Sequence, residues 1–224
     1  MKRISCVIFD LDGTLTRTNE IIFDTFNHVA EKYLHKVFTR EEIVASFGPP
    51  EEIAIERLLG NKNLGNVMDD FYKFYEGHLL ARASTHTGVV EILKSLKSKG
   101  IIIALFTGRG TTTTLITLKK FGIKQYFDLI VTGSDVENHK PSADGIRKVL
   151  AKFMLLPEEV LMVGDAVSDV KAAREAGVAI AAVLWDSYGK EHVLGMDVEH
   201  TFHNVGEFAL WLEQIIPTNG ERFH

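Results

Sequence analysis

Short apolar runs without polar alternation recur along the chain and predict the strands of a buried parallel sheet. Most of them are followed directly by glycine, threonine or aspartate, and they cover 6–9, 101–106, 127–131, 160–163 and 178–184. Beyond Gly88, segments with apolar residues at helical spacing separate these runs. The alternation predicts the α/β fold class, with a doubly wound parallel sheet of five strands. A last helix is predicted over 205–216, and 217–224 is predicted to be a loose tail.

Residues 16–85 have a different pattern, in which no strand is expected. Apolar residues recur there three and four positions apart, as in a helix that buries one face. Breaks occur at Phe47-Gly48-Pro49-Pro50 and at Gly60-Asn61-Lys62-Asn63, where glycine and proline interrupt the spacing. The pattern predicts an all-helical insert with its own small core. The predicted domains are an α/β core over 1–15 and 86–224 and the insert over 16–85.

Composition and charge exclude several classes of protein. The chain has 224 residues, of which 46% are hydrophobic and 25% charged, as in ordinary globular proteins. A net charge of −5 argues against a nucleic-acid partner. The single Cys6 excludes an intramolecular disulfide, and no run suits a signal or a membrane span, so a cytoplasmic protein without a membrane partner is expected. His200 and His203 are predicted to lie in a surface loop, not in a zinc site.

Two carboxylates directly follow the first predicted strand. Asp10 and Asp12 are two positions apart, so both are expected to project to the same side beyond the strand. Carboxylates held this close repel each other unless a cation lies between them or one holds a proton. The pair therefore favours an Mg2+ site, with one carboxylate as a nucleophile and the other as an acid or base. Two solvated carboxylates at the end of a strand would have the same sequence. Gly13 permits a sharp turn, within which Thr14 can hydrogen-bond.

Further polar residues lie near the carboxyl ends of later strands, where open α/β sheets bind their ligands. Thr107 and the Gly108 amide could donate to phosphate oxygens, although Thr107 could equally cap the next helix. Lys140 precedes a predicted helix, where it either faces the site or is solvated. Asp165 and Asp169 offer the hard oxygen ligands that suit Mg2+, and Asp169 could instead stabilise the first turn of a helix.

In their order along the chain, these segments resemble the four motifs of the haloacid dehalogenase-like hydrolase superfamily. The motifs are Asp10-Leu11-Asp12-Gly13-Thr14, Thr107, Lys140-Pro141 and Gly164-Asp165-Ala166-Val167-Ser168-Asp169, and the resemblance spans residues 6 to 169. It is greatest to the phosphatases near phosphoglycolate phosphatase and phosphoglucomutase. It implies a Rossmann-like core with an all-helical cap domain inserted after the first strand. One departure is Ala166, where many relatives have serine.

The resemblance also implies a role for each motif residue. Asp10 is expected to be the nucleophile that forms an aspartyl-phosphate, and Asp12 the general acid and then the base. Phosphate binding is implied for Thr107, Gly108, Arg109 and Lys140. Metal binding is implied for Asp10, Asp12 through its backbone carbonyl, Asp165 and Asp169, with Mg2+ as the cofactor. Arg109 by itself could also be a solvated side chain.

The residues around the nucleophile narrow the chemistry further. In this superfamily the dehalogenase members lack the second aspartate, so Asp12 argues against dehalogenation. The expected function is a Mg2+-dependent phosphohydrolase for a small phosphorylated metabolite, similar to phosphoglycolate phosphatase, in a monomer or homodimer. The alternatives are a sugar-phosphate mutase of the beta-phosphoglucomutase type and an inorganic pyrophosphatase-like hydrolase, which the Gly-Pro-Pro turn weakly favours. A non-catalytic module is disfavoured because every expected catalytic residue type is present.

The predicted insert corresponds to the cap of these enzymes and is expected to recognise the substrate. Phe47-Gly48-Pro49-Pro50-Glu51-Glu52 is a candidate specificity loop that faces the site, and the start of a helix explains it equally well. Arg57 and Arg82 are candidate substrate contacts from the insert.

Overall fold

The computed structural model describes residues 3–60 and 64–216, and a six-stranded sheet forms its centre. The strands in chain order are β1 Cys6–Phe9, β2 Thr16–Arg17, β3 Ser84–Thr85, β4 Ile102–Phe106, β5 Leu129–Val131, β6 Val160–Gly164, β7 Ala179–Val183 and β8 His200–Phe202. The sheet has the order β5-β4-β1-β6-β7-β8, and all its neighbouring strands are parallel. This order places β1, which carries the first motif, between β4 and β6.

Helices connect the strands. They are α1 Asn19–Leu34, α2 Arg40–Val44, α3 Glu51–Leu59, α4 Leu64–Arg82, α5 Val89–Ser98, α6 Thr111–Lys120, α7 Asp144–Phe153, α8 Val167–Ala176, α9 Lys190–Leu194 and α10 Val205–Ile215. Short 3-10 segments lie at Lys124–Tyr126, Gly133–Asp135 and Pro157–Glu159. In the described part of the chain, no helix is both long enough and apolar enough to cross a membrane.

The two faces of the sheet are buried against different helices, as the continuous apolar runs predict. Val7 and Phe9 of β1 belong to a core that includes α5 and α10. Cys6 and Ile8, which alternate with them, belong to a second core that includes α7 and α8. Since successive side chains of a strand point to opposite faces, a strand buried on both sides must be apolar throughout. The doubly wound α/β prediction is confirmed.

The sheet has one more strand than the five that the sequence predicts. The additional strand is β8, which contains His200, so the prediction that His200 lies in a surface loop is wrong. Its three residues are only partly buried, and its position at the edge of the sheet leaves one side unpaired. The His200 ring packs against Trp211 of α10 with the ring centroids 4.7 Å apart. A run this short and half-exposed lacks the apolar pattern by which the other strands were found.

The insert between β2 and β3 consists of α1 to α4, and the prediction of a helical insert is confirmed. Its core contains Phe26, Phe71, Tyr75 and Leu79, all of them buried. The expectation of no strand over 16–85 is wrong at both ends, because β2 and β3 pair antiparallel as the two connections to the sheet domain. A two-residue strand has too few positions to show any periodicity.

Two sequence predictions fall outside the described residues. These are the break at Asn61-Lys62-Asn63 and the loose tail over 217–224. The domain boundaries 1–15, 16–85 and 86–224 stay a prediction. The paired connections β2 and β3 lie at the edges of the predicted insert.

His86 is a buried residue directly after β3, at the base of the insert. Its Nδ1 accepts a hydrogen bond from Arg17 Nε at 3.2 Å, and its Nε2 lies 3.7 Å from a carboxylate oxygen of Asp186. Burial, aided by the charge of Arg17, lowers the pKa of His86 to about 4. The imidazole is therefore neutral in the folded protein at pH 7, and protonation is unfavourable there.

Replacing His86 is expected to reduce the decrease in the free energy of unfolding at acidic pH. The unfolded imidazole takes up a proton below about pH 6.5, whereas the folded one resists it down to about pH 4. The stability that comes from neutral His86 is complete above pH 6.5 and falls as the pH drops. At pH 5 the loss is about 2 kcal/mol. Urea unfolding at pH 7.5 and 5.0 would give the free energy of unfolding of wild type and of His86→Gln. The excess of wild type over the variant should shrink by this amount at pH 5.0. An unchanged excess would contradict a neutral His86 in the folded protein.

Candidate active site

A cavity of about 430 Å3 lies where the carboxyl ends of β1, β4 and β6 meet the insert. Connections at the ends of three neighbouring parallel strands approach one another there, which brings together residues far apart in sequence. The residues lining it include those with an implied role in the reaction: Asp10, Asp12, Thr107, Gly108, Arg109, Lys140, Asp165 and Asp169. All eight residues to which the resemblance assigns a catalytic, phosphate-binding or metal-binding role thus meet in one cavity.

Three carboxylates form a buried group at the sheet end of the cavity. Asp10, Asp165 and Asp169 each offer an oxygen within 4.8 Å of the others. Burial raises the pKa of Asp10 to about 7, with Lys140 acting in the opposite direction. Burial and the neighbouring Asp10 and Asp169 hold the pKa of Asp165 well above its usual range. A cation among these oxygens would remove the repulsion, and the donor set of hard oxygens fits a divalent metal.

Lys140 is the positive charge within this group. Its Nζ donates to Asp10 Oδ1 at 2.8 Å and to Asp169 Oδ1 at 2.6 Å. Burial opposes the charged form, but the two carboxylates outweigh it and raise the pKa of the ammonium. The alternative that Lys140 is solvated is therefore wrong. Pro141 does not begin a helix, because α7 starts only at Asp144.

Two glycines allow the carboxylates to come this close to the backbone. Gly13 has a φ of +77°, and a Cβ there would lie 2.5 Å from a carboxylate oxygen of Asp165. A Cβ on Gly164 would lie 2.4 Å from the carboxyl carbon of Asp169. Thr14, next to the first of these glycines, donates to Asp165 Oδ1 at 3.1 Å. The turn after β1 is thus shaped to hold Asp165, which the sequence alone did not indicate.

Thr107 is a buried residue at the end of β4, and its hydroxyl accepts a hydrogen bond from the Arg109 amide at 3.2 Å. The following helix, α6, begins at Thr111 with Gly110 before it. Thr107 therefore does not cap that helix, and this alternative is wrong. It lies with Gly108 on the wall of the cavity, where both can face a phosphate.

Asp169 and Ala166 are connected at the start of α8. Asp169 Oδ2 accepts a hydrogen bond from the Ala166 amide at 3.0 Å, while Oδ1 accepts from Lys140. The carboxylate thus stabilises the first turn of the helix and also belongs to the buried group, while its role as a metal ligand stays a prediction. Ala166 lines the cavity without a hydroxyl.

Asp12 also lines the cavity, but its carboxylate is outside the buried group. Asp12 Oδ1 accepts hydrogen bonds from the Thr18 hydroxyl and, at 3.2 Å, from Arg109 Nη1. Asp10 and Asp12 both line the cavity, which is consistent with the expectation that they project to the same side. Because Asp12 has different partners from Asp10, the two carboxylates are in different electrostatic surroundings, which suits different chemical roles.

Arg109 is buried and connects Asp12 to the insert, so the alternative of a solvated side chain is wrong. Its Nε donates to Glu51 Oε1 at 3.1 Å, and its Nη1 donates to the Tyr75 hydroxyl at 2.7 Å. Glu51 also accepts from the Gly110 amide and the Thr113 hydroxyl. Sequence reasoning missed the role of Tyr75, whose only signal was an aromatic residue at core spacing.

The Phe47 to Glu52 segment fits both of its sequence interpretations. Phe47, Gly48, Pro49 and Glu51 line the cavity. The helix α3 begins at Glu51, directly after Pro50. The loop and the helix start are thus one feature, which places the Glu51 carboxylate at Arg109.

Two other candidates from the insert are wrong. Arg57 and Arg82 are both exposed, and neither lines the cavity. Arg82 instead pairs with Asp24 on the surface of the insert. A positive charge in a helical segment gives no sign of which face it lies on without the packing of neighbouring helices.

The comparisons with known proteins agree with this geometry. The family model for haloacid dehalogenase-like hydrolases matches residues 7–183. Pyrophosphatase PpaX of Anoxybacillus flavithermus is 33% identical over 190 residues, which are 85% of this chain and 88% of that protein. Pyrophosphatase PpaX of Halalkalibacterium halodurans is 32% identical over 202 residues, 90% of this chain and 94% of that protein. The crystal structure of CbbY from Rhodobacter sphaeroides in complex with phosphate shares the fold, with a TM-score of 0.79, 21% identity and coverage of 92% and 96%.

Proposed function

The chain belongs to the haloacid dehalogenase-like hydrolase family, as a phosphohydrolase with a helical cap, and we propose that it hydrolyses inorganic pyrophosphate with Mg2+. The observation that carries the proposal is the buried group of Asp10, Asp165 and Asp169, in which Lys140 donates to Asp10 and Asp169. The relatives named as pyrophosphatases favour pyrophosphate over phosphoglycolate, the substrate that the motif resemblance favours. Phosphoglycolate becomes the second candidate.

In the proposed reaction, Asp10 and Asp12 divide the chemistry. An Asp10 carboxylate oxygen attacks phosphorus, and the bond from phosphorus to the leaving oxygen breaks. Asp12 gives its proton to that oxygen, which leaves as part of phosphate when the substrate is pyrophosphate. Asp12 then takes a proton from a water molecule, whose oxygen attacks phosphorus. The bond from phosphorus to the Asp10 oxygen breaks, which releases the second phosphate and restores the Asp10 carboxylate. Covalent catalysis of this kind replaces one difficult hydrolysis by two easier steps.

The surrounding residues bind and balance the phosphoryl group. Lys140 holds a positive charge beside Asp10, where it offsets the charge on the transferred group. Thr107 and the Gly108 amide donate to phosphoryl oxygens. Asp10, Asp165 and the backbone carbonyl of Asp12 would hold Mg2+, with Asp169 as a further ligand or a support for Lys140. When bound, Mg2+ supplies charge neutralisation and Lewis acidity at the phosphoryl oxygens.

The helical insert would act as the cap over this chemistry. We assign residues 16–85 to it and residues 1–15 and 86–224 to the core domain. The insert supplies Ile22, Phe26, Val44 and Phe47 as an apolar wall of the cavity. A wall of this kind keeps bulk water from the phosphoryl group while the aspartyl-phosphate exists.

Phosphate release from a panel of phosphorylated compounds tests the proposal. Pyrophosphate should be the best substrate, phosphoglycolate should follow, and sugar phosphates and nucleotides should be poor. Chelation of divalent ions should abolish release, and Mg2+ should restore it. No release from any compound by the folded protein with Mg2+ would contradict a phosphohydrolase. A requirement for a bisphosphate activator would favour the mutase alternative instead.

A further inference from the structure

Arg109 has an unused hydrogen-bond donor in the cavity region. The side chain lines the cavity and the residue is only 8% exposed, yet its Nη2 is buried without a hydrogen-bond partner. Its Nε and Nη1 are bonded to Glu51, Tyr75 and Asp12. A charged donor that is buried unpaired is unfavourable, and such groups in folded proteins normally have a partner. The missing partner is expected to be an acceptor on the substrate.

Few cations in this cavity could bind a second anionic group of a substrate. Among the described residues that line it, the cations are Lys140 and Arg109. Lys140 is already bonded to Asp10 and Asp169. The wall from the insert contributes apolar side chains together with Asn19, Ser46 and Glu51, none of them positive. Two of the three Lys140 donors are thus bound beside Asp10, whereas Arg109 is the lining cation away from Asp10 and has a buried donor, Nη2, without a partner.

The position of Arg109 indicates which end of the substrate it would meet. Its Nη1 lies 3.2 Å from Asp12 Oδ1. In the proposed reaction Asp12 protonates the leaving oxygen, so a group next to Asp12 lies on the leaving-group side. Lys140, by contrast, lies beside Asp10, where the phosphoryl group is transferred.

We infer that Arg109 binds an anionic group carried by the leaving group, and that the enzyme thereby selects substrates in which the leaving group has its own phosphate or carboxylate. The inference rests on the proposed function through the role of Asp12. Pyrophosphate and phosphoglycolate both have such a leaving group, whereas simple esters of neutral alcohols do not. A planar guanidinium is well suited to phosphate and carboxylate, because its donors match their oxygens.

Glu51 and Tyr75 are positioning residues for Arg109. Both belong to the insert, in α3 and α4, whereas Arg109 follows β4 in the sheet domain. The guanidinium carbon also lies 4.5 Å above the Tyr75 ring. Two hydrogen bonds and one stacked ring from the insert hold the guanidinium, so its orientation depends on the insert being packed against the core.

The test compares two ligands that differ in the second anionic group. Imidodiphosphate resists hydrolysis and resembles pyrophosphate, whereas inorganic phosphate represents the transferred group alone. Isothermal titration calorimetry would measure both with Mg2+, using wild type and Arg109→Lys, with the exposed Arg82→Lys as the matched control. Arg109→Lys should weaken the binding of imidodiphosphate by about 10- to 100-fold, which corresponds to the loss of a hydrogen bond to a charged group. Phosphate binding should change by less than about threefold.

A milder variant keeps the test decisive if Arg109→Lys does not fold. Tyr75→Phe retains the ring but removes the hydroxyl that holds Nη1 and bonds to Thr117. Tyr33→Phe is the control, at a partly buried hydroxyl of the insert that bonds to Asp70. Tyr75→Phe should lower kcat/KM for pyrophosphate by about 3- to 10-fold relative to phenyl phosphate, through loss of one hydrogen bond.

An equal loss of affinity for both ligands in Arg109→Lys would overturn the inference, because Arg109 would then act on the transferred group or on the fold. No loss of affinity for either ligand would overturn it too. Wild type that binds imidodiphosphate no more tightly than phosphate would overturn it as well. If the protein released no phosphate from any substrate, the proposed function would fail. The calorimetric comparison would still decide whether Arg109 binds a second anion.

Discussion

Asp10→Asn is expected to abolish phosphate release, with kcat reduced by at least about 10,000-fold, as for loss of a catalytic nucleophile. The amide cannot attack phosphorus, so no aspartyl-phosphate forms. The substitution nearly preserves the shape of the side chain, which accepts a hydrogen bond from Lys140 and lies close to two carboxylates. Phosphate release by the purified variant, measured beside wild type with Mg2+ and pyrophosphate, is the direct assay.

The same variant is expected to remain folded. Burial raises the pKa of Asp10 to about 7, which means that its charged form is unfavourable in the protein without metal. Removing that charge relieves repulsion, so the free energy of unfolding without Mg2+ should not fall. Asp24→Asn, at an exposed ion pair with Arg82, is the control and should retain full turnover. A folded Asp10→Asn protein with wild-type turnover would show that Asp10 is not the nucleophile.

Lys140→Met is expected to damage both stability and turnover. The substitution keeps a long unbranched side chain but leaves Asp10 and Asp169 buried without their shared cation. Breaking a buried ion pair by removing one partner typically costs about 3–5 kcal/mol. The loss should appear in urea unfolding at pH 7.5 without metal. Turnover should fall by about 1,000-fold, because the charge that faces the transferred phosphoryl group is lost.

A lysine at an exposed ion pair is the matched control for this variant. Lys97 donates to Asp128 at 2.7 Å, with about a third of each side chain exposed. Lys97→Met should cost less than about 1 kcal/mol, as is usual for surface pairs. If Lys140→Met were as mild as Lys97→Met, the two carboxylates could not depend on Lys140 for compensation. Addition of Mg2+ should recover part of the lost stability in Lys140→Met, through binding to the same carboxylates.

The class of fold and the place of the catalytic residues followed from local patterns. Continuous apolar runs identify strands that are buried on both faces, and Asp10, Thr107 and Asp165 each directly follow such a strand, whereas Lys140 lies in the connection between β5 and α7. Since parallel strands end at one edge of a sheet, their terminal residues must approach one another. For this reason Asp10, Thr107 and Asp165 could be assigned to one site without any knowledge of the packing.

Features without a local pattern escaped prediction. The strand β8 is three residues long and half-buried, and the paired connections β2 and β3 have two residues each. Elements this short show no period that distinguishes them from a loop. The predictions for Arg57 and Arg82 failed for a related reason, because sequence spacing does not show which side of a helix faces a site in another domain.

The sequence by itself determined the α/β fold with its helical insert and the residues that meet at the carboxyl edge of the sheet. Only the tertiary structure decided their partners: Lys140 between Asp10 and Asp169, and Arg109 between Asp12 and the insert residues Glu51 and Tyr75. The reason is physical. A strand pattern depends on neighbours along the chain, whereas these bonds join groups from 29 to 130 positions apart, and their geometry exists only when separate elements pack together.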